Sequence, residues 1–77
     1  MDLTTYATDG YDGQPFQGYA TSNAGMAHAA GKYWRENGRP RPTKCTTGRG
    51  YSVNMFNGRD KYQIYFDHDM RPSFSRP

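Results

Sequence analysis

The sequence predicts a single α+β domain of order β-β-α-β-β, in which one helix packs on one face of a mainly antiparallel sheet. Three observations carry this prediction. Two alternating runs flank Asn57-Gly58, an apolar stripe recurs at helical spacing over residues 23–37, and two short β-forming runs precede that stripe. A hairpin alone is only marginally stable in water, so we expect the helix to cover its apolar face.

The C-terminal hairpin is expected over residues 51–67. Its centre, Asn57-Gly58, tolerates the positive φ angles of a tight turn. A four-residue loop at 57–60 pairs apolar with apolar residues in every row, whereas a turn of Asn57-Gly58 alone places Met55 opposite Asp60. We favour the four-residue loop for this reason. The favoured register pairs Tyr51 with Phe66, Val53 with Ile64 and Met55 with Tyr62.

The helix is expected over residues 23–37. Thr21, Ser22 and Asn23 are all competent N-caps, and Asn37-Gly38 is a common C-terminal stop. Gly25 and Gly31 each lower helix propensity by about 1 kcal/mol relative to Ala, or else they let the helix approach the sheet closely. The apolar stripe consists of Met26, Ala27, Ala30, Tyr33 and Trp34.

The rest of the chain is assigned to two further strands, a connector and a tail. The runs LTTYAT at 3–8 and PFQGYA at 15–20 are expected to form short strands. Residues 44–50 lead into the hairpin and can extend its first strand. We expect one domain over residues 1–70, followed by an extended tail at 71–77. The predicted core is Phe16, Met26, Ala27, Ala30, Tyr33, Trp34, Val53, Met55, Tyr62, Ile64 and Phe66.

Composition indicates a folded chain with a small aromatic core. Leu, Ile, Val and Phe together number 7 of 77 residues, a level typical of disorder. Seven Tyr, four Phe and one Trp, with a net charge of only +3, favour folding instead. Cys45 is the single cysteine, and neither a signal peptide nor a membrane-spanning run is recognisable. We therefore expect a cytoplasmic protein with no membrane partner, in the host cytoplasm if a phage encodes it.

Charge is distributed unevenly along the chain. Residues 1–31 carry three Asp and no base, for a charge of −3, whereas residues 32–61 carry eight bases against Glu36 and Asp60, for +6. In the hairpin, Phe56 and Tyr65 alternate out of the proposed core. The candidate binding residues combine the basic segment with these two aromatics: Arg35, Arg39, Arg41, Lys44, Arg49, Phe56, Arg59, Lys61 and Tyr65.

Three kinds of partner fit this basic and aromatic surface. A small domain without catalytic signature, rich in Tyr, Met and Arg, is typical of phage-type inhibitors that occlude a host complex handling nucleic acids. Its layout with an Ala-rich helix resembles some small anti-CRISPR and polymerase-inhibitor proteins, so a protein partner is the favoured expectation. The alternative is direct binding of single-stranded RNA or DNA to the sheet face. A homodimer interface on the same face is also compatible with the sequence.

Catalysis and metal binding are not expected. Asp67-His68-Asp69 lacks a third and fourth convergent ligand, and a solvated strand end explains it better. His28 and Cys45 do not assemble into a nucleophile and base with any recognisable spacing. The glycines at 46–51 precede no helix, so a turn is favoured over a phosphate loop. The sequence therefore predicts a non-enzymatic protein without cofactor or metal.

Overall fold

The computed structural model describes residues 1–75, which form two helices followed by four strands. The elements are α1 (Thr4–Tyr11), α2 (Asn23–Glu36), β1 (Lys44–Thr47), β2 (Ser52–Asn57), β3 (Asp60–Phe66) and β4 (Pro72–Phe74). The strands lie side by side in chain order, and each neighbouring pair is antiparallel. Both helices pack on the same face of the sheet, so the architecture is a two-layer α+β domain.

The predicted order β-β-α-β-β is wrong, because the N-terminal strands do not form. Residues 4–8 belong to α1, and residues 15–20 contain no strand. Leu3, Ala7 and Gly10 are buried at spacings of four and three residues, which is the helical period. The β-forming tendency of Thr and Tyr is overridden by this packing. The observed order is α-α-β-β-β-β.

The helices α1 and α2 touch through glycine. A Cβ at Gly10 would overlap the backbone oxygen of His28, and one at Gly31 would overlap the backbone oxygen of Ala7. Gly25 has the same relation to the Tyr19 oxygen. The helix glycines do permit a close approach, as expected. However, Gly25 approaches the preceding loop and Gly31 approaches α1, and neither approaches the sheet.

The predicted helix at 23–37 is confirmed as α2. The Ser22 hydroxyl accepts a hydrogen bond from the Gly25 amide at 2.9 Å, as an N-cap does. The helix ends at Glu36, with Asn37 as C-cap and Gly38 at a φ of 73°. This positive φ is the conformation that makes glycine a common stop after a helix.

The favoured hairpin register is confirmed in the strands. Val53 lies opposite Ile64, and Met55 lies opposite Tyr62. Asn57 also pairs with Asp60, so the connection is the two-residue turn Gly58-Arg59 and not a four-residue loop. Gly58 has a φ of 62°, and glycine at the first turn position is what a type II′ turn requires.

Two further strands were not predicted. β1 does not extend the hairpin strand but folds back on it, with Cys45 opposite Met55. β4 lies within the segment predicted as an extended tail, and Phe74 pairs with Ile64 at the sheet edge. Residues 76 and 77 of that segment lie outside the described residues. Strands of four and three residues are too short to show a clear alternation in the sequence.

The core contains eight of the eleven predicted residues, namely Met26, Ala27, Ala30, Trp34, Val53, Met55, Ile64 and Phe66. Phe16 and Tyr33 are only partly buried, and Tyr62 is 37% exposed, so their assignment to the core is wrong. Leu3, Ala7 and Cys45 were missed because α1 and β1 were not recognised. The core is small, and much of it consists of Ala, Met and Cys side chains.

The glycine contact between the helices gives a stability prediction. Gly31→Ala adds about 1 kcal/mol of helix propensity, but its Cβ would overlap the Ala7 backbone oxygen, and overpacking against backbone costs about 2–3 kcal/mol or more. We expect the free energy of unfolding to fall by at least about 1 kcal/mol. Urea unfolding followed by Trp34 fluorescence measures it. Lys32→Ala, at the exposed neighbouring position, serves as control and should change it by less than about 0.5 kcal/mol. A more stable Gly31→Ala variant would contradict this packing.

Candidate functional site

The sheet face that the helices leave uncovered is the candidate site. We call it the open face, and it is defined by the strand side chains that alternate with the core positions. These are Lys44, Thr46, Ser52, Asn54, Phe56, Lys61, Gln63, Tyr65 and Ser73. None of these strand positions carries a carboxylate, so the strands of the open face contribute positive charge and polar groups.

One end of the open face combines two cations with an aromatic ring. Lys44, Phe56 and Lys61 lie opposite one another across β1, β2 and β3. The Nζ atom of Lys44 is 5.6 Å from the centre of the Phe56 ring, within the range of a cation–π contact. Lys44 and Lys61 are exposed and Phe56 is half-buried. Three predicted site residues are therefore brought together in one row.

The second aromatic side chain, Tyr65, lies farther along the face. Tyr65 is 43% exposed and lies opposite Ser52, four residues from Phe56 along β2. At ~3.3 Å per residue along a strand and ~4.8 Å between strands, the Cα atoms of Phe56 and Tyr65 are ~14 Å apart. The face thus presents two separate aromatic surfaces.

A row of polar side chains lies between the two aromatics. Thr46, Asn54 and Gln63 lie opposite one another. The Asn54 amide group donates to Thr46 Oγ1 at 3.4 Å and to the Thr47 backbone oxygen at 3.3 Å. The Gln63 amide group donates to Ser52 Oγ at 3.3 Å, and the Tyr65 hydroxyl donates to Gln63 Oε1 at 3.0 Å. These bonds orient both amides. The Asn54 bonds could not be predicted from the sequence because they depend on the β1–β2 pairing, whereas the Gln63 bonds form within the β2–β3 hairpin.

The turns at the two ends of the sheet carry further cations. Arg49 lies in the turn before β2, where its backbone oxygen accepts a hydrogen bond from Ser52 Oγ at 2.7 Å. Ser52 is fully buried and lies opposite Tyr65, so its contact with Arg49 places the turn at the Tyr65 end of the open face. Arg59 lies in the hairpin turn, two residues before Lys61. Both arginines are exposed, so both ends of the open face carry positive charge.

The remaining predicted arginines lie away from the open face. Arg35 on α2 donates to the backbone oxygen of Tyr11 at 3.2 Å. Arg41 forms an ion pair with Asp12, whose hydrogen bond raises the pKa of the guanidinium. The nine residues predicted as one binding set are therefore divided: six lie on the open face or its turns, and Arg35, Arg39 and Arg41 lie beside the helices.

Arg39 is held in an aromatic cluster. Its guanidinium carbon lies 5.0 Å from the Trp34 ring centre, 4.1 Å from that of Tyr62 and 4.5 Å from that of Phe74. Its Nε atom is buried and makes no hydrogen bond within the described residues. The three rings take the place of a polar partner, because their faces attract a cation. Arg39 thus joins α2 to β3 and to the edge strand β4.

Removal of Arg39 is expected to destabilise the fold. Arg39→Ala loses three cation–π contacts and the packing of the guanidinium plane, which together contribute about 1–2 kcal/mol to the free energy of unfolding. Arg39→Lys should recover little of this loss, because an ammonium group does not stack flat on a ring. Thermal unfolding followed by circular dichroism measures both. Arg59→Ala, in the exposed turn, is the matched control, and equal effects of the two Ala variants would refute the structural role of Arg39.

Two acidic residues near the sheet, Asp2 and Asp67, are engaged in local hydrogen bonds. Asp2 bridges to Thr46 beside the open face, and the hydroxyl and amide of Thr4 donate to its carboxylate and lower its pKa. The Asp67 carboxylate accepts from the amides of Arg71 and Asp69, which lowers its pKa. Asp67 therefore shapes the turn between β3 and β4. Among residues 1–75, no three His, Cys, Asp or Glu side chains converge as a metal site would require.

His28 and Cys45 both have structural surroundings. The His28 ring nitrogen Nε2 bonds the Gln14 backbone oxygen, and its ring lies 5.4 Å from that of Phe16. These contacts fix the 12–20 loop on α2, beside a cleft of about 490 Å³ that Lys32 also lines. Cys45 is fully buried against Met55, and this burial raises the pKa of its thiol to about 12.

The Cys45 thiol is expected to be unreactive in the folded protein. At pH 8 the buried thiol stays protonated, so an aromatic disulfide reagent should label it much more slowly in buffer than in denaturing urea. A thiol whose pKa rises on folding stabilises the fold below its ordinary pKa of 9.0, and this contribution is lost as the pH rises towards 12. Cys45→Ala should remove that part of the alkaline destabilisation. Equal labelling rates in buffer and in urea would contradict the burial.

The chain has no match among known proteins in three comparisons. No protein-family model matches it, and neither a curated protein nor a solved structure does so. Within residues 1–75, neither helix has the length and apolar composition needed to cross a membrane. The chemistry of the open face is therefore the basis on which a function is proposed.

Proposed function

We propose that this chain is a non-enzymatic binding protein that holds single-stranded RNA or DNA on the open face of its sheet. The observation that carries the proposal is the composition of that face. Phe56 and Tyr65 are accessible there, Lys44 and Lys61 lie beside Phe56, and none of the strand side chains that define the open face carries a carboxylate. A positively charged surface with separate aromatic rings is how many single-strand binders combine phosphate attraction with base stacking.

Nucleobases that stack on the aromatic rings contribute to the binding affinity, and this mode of binding requires no catalytic group. Each base that stacks on an aromatic side chain contributes about 1–3 kcal/mol, and every base has a face that can stack. The ~14 Å between Phe56 and Tyr65 is much longer than one stacked step of ~3.4 Å. A single-stranded nucleic acid that stacks one base on each ring therefore crosses the open face with these two bases far apart. Unpaired nucleotides allow this separation.

The cations are arranged to follow a phosphate backbone. Lys44 and Lys61 flank Phe56 in one row, Arg59 lies in the hairpin turn, and Arg49 lies in the turn at the Tyr65 end. Arg39 and Arg41 take no part in this proposal, because the first is held by three rings and the second by Asp12. The proposed phosphate contacts are thus fewer than the basic residues of the chain.

A second candidate uses the same face against a protein. Tyr65 is 43% exposed, and Arg49 is exposed in the turn at the Tyr65 end of the open face. Tyr and Arg are enriched in the energetically important centres of protein interfaces. An inhibitor that occludes a nucleic-acid-handling complex would use these residues as anchors. We rank it second because the polar row between the aromatics favours nucleobases over an apolar interface.

Binding to a fluorescent single-stranded oligonucleotide, measured by anisotropy over a range of salt concentrations, tests the proposal. For the four proposed phosphate contacts, the logarithm of the affinity should fall with the logarithm of salt at a slope of about −3. Lys44→Gln and Lys61→Gln should each reduce the slope by about 0.7. Phe56→Ala and Tyr65→Ala should each weaken binding by about 1–3 kcal/mol and leave the slope nearly unchanged.

Matched variants separate the open face from the rest of the surface. Tyr65→Phe keeps the stacking ring and should bind nearly as well as the natural chain. Lys32→Gln and Tyr19→Ala remove an exposed cation and an exposed ring elsewhere, and should have little effect. If the folded chain binds no oligonucleotide at low salt, direct nucleic-acid binding is ruled out and the protein-inhibitor candidate takes its place.

A further inference from the structure

The cleft between the 12–20 loop and α2 is a surface separate from the open face. Its volume is about 490 Å³, within the range of small-molecule sites in proteins. Loop residues from Gly13 to Ala20 form one wall, and residues of α2 from Gly25 to Lys32 form the other. Because α2 packs on the covered face of the sheet, the cleft lies in the helical layer and the strands do not line it.

Contacts between the loop and α2 fix the shape of this cleft. The His28 Nε2 atom donates a hydrogen bond to the Gln14 backbone oxygen, because a carbonyl oxygen can only accept. The Phe16 ring lies 5.4 Å from the His28 ring, and a Cβ at Gly18 would lie only 2.5 Å from the Phe16 ring. The loop is thus closely packed where it lines the cleft, and the cleft is formed before any ligand arrives.

His28 contributes a hydrogen-bond acceptor to the cleft. It lines the cleft although it is only 9% exposed. With the proton on Nε2, the Nδ1 atom of the neutral ring carries a lone pair. Within residues 1–75 no group donates to Nδ1, and this atom is not enclosed in the protein interior. Nδ1 is therefore open to the cleft and without a partner.

Lys32 contributes a positive charge to the same cleft. It follows His28 by four residues, so the two side chains lie on one face of α2 with their Cβ atoms about 6 Å apart. Lys32 is exposed and forms no ion pair within residues 1–75. Glu36 lies one turn farther along α2 and does not line the cleft, and neither Asp nor Glu is found among the lining residues. The cleft thus offers an acceptor and a cation without a competing carboxylate.

We propose that this cleft binds a small hydroxylated organic anion. The ligand hydroxyl donates to His28 Nδ1, the anionic group pairs with Lys32, and Phe16 and Ala29 give the carbon skeleton an apolar wall. The shared chemistry is a hydroxyl beside a phosphate or a carboxylate, since a lysine ammonium pairs with either. Because His28 and Lys32 are one helical turn apart, both groups belong to one compact molecule. This inference goes beyond the proposed function, because it concerns a different surface and a different ligand.

Titrations followed by nuclear magnetic resonance test the hydroxyl contact with matched ligands. Glycerol 3-phosphate and 3-hydroxybutyrate carry both groups, whereas propyl phosphate and butyrate keep the anion and lack the hydroxyl. We expect at least one hydroxylated anion to shift the His28 Nδ1 resonance in a saturable manner at millimolar concentration. Its matched ligand should bind about threefold or more weakly and leave Nδ1 unshifted. The exposed His68 is the internal control and should not shift.

Two variants test the cation. Lys32→Gln removes the charge at an exposed position, where the fold does not depend on it, and should weaken binding of the hydroxylated anion about three- to fivefold. Arg71→Gln removes the same charge from the exposed turn between β3 and β4 and should leave the affinity unchanged.

The outcomes decide the proposal and the kind of anion. Tighter binding of glycerol 3-phosphate than of 3-hydroxybutyrate identifies a phosphate site, and the reverse identifies a carboxylate site. The proposal is overturned if neither hydroxylated anion shifts His28 in a saturable manner, or if the ligands without a hydroxyl bind equally well. Equal weakening by Lys32→Gln and Arg71→Gln also overturns it, because the anion would then respond only to the net charge of the protein.

Discussion

The backbone contact between α1 and α2 is the constraint on which the rest of this structure depends. The chain contains one Leu, one Ile and one Val, so it cannot fill a thick apolar layer. Gly10 and Gly31 instead bring the two helices together until backbone meets backbone. Ala27 and Ala30 keep the inner surface of α2 equally low above the sheet. The close approach of the helices to each other and to the sheet compensates for the small volume of the core side chains. The core is therefore densely packed although it contains few large residues.

This close packing also determines which surface remains free. Both helices occupy one face of the sheet, where Val53, Met55 and Ile64 are fully buried. The alternation of side chains in a strand then places Asn54, Gln63 and their neighbours on the opposite face, which neither helix covers. The residues proposed to bind a partner are those whose side chains do not pack against the helices. The alternation of side chains along the strands therefore determines both the core and the candidate site.

The sequence predicted the elements whose signals are local. The helix α2 followed from its apolar spacing and its caps, and the hairpin register followed from pairing apolar residues around Gly58. The helix α1 was missed because its Thr and Tyr residues favour strands, whereas the burial of Leu3, Ala7 and Gly10 at helical spacing favours a helix. β1 and β4 are short and gain their stability from neighbours that are distant in sequence.

The candidate site was predicted only where alternation decides the outcome. Phe56, Lys61 and Tyr65 follow from the hairpin alone, because residues at odd and even positions face opposite sides. The roles of the arginines do not follow, because Arg39 depends on Trp34, Tyr62 and Phe74, which meet only in the folded chain. The presence of a basic segment in the sequence therefore does not show which of its residues lie on a binding surface. Tertiary contacts engage some of its basic residues in stabilising the fold and leave others available to a partner. In this protein the available ones lie on the open face of the sheet or in its turns.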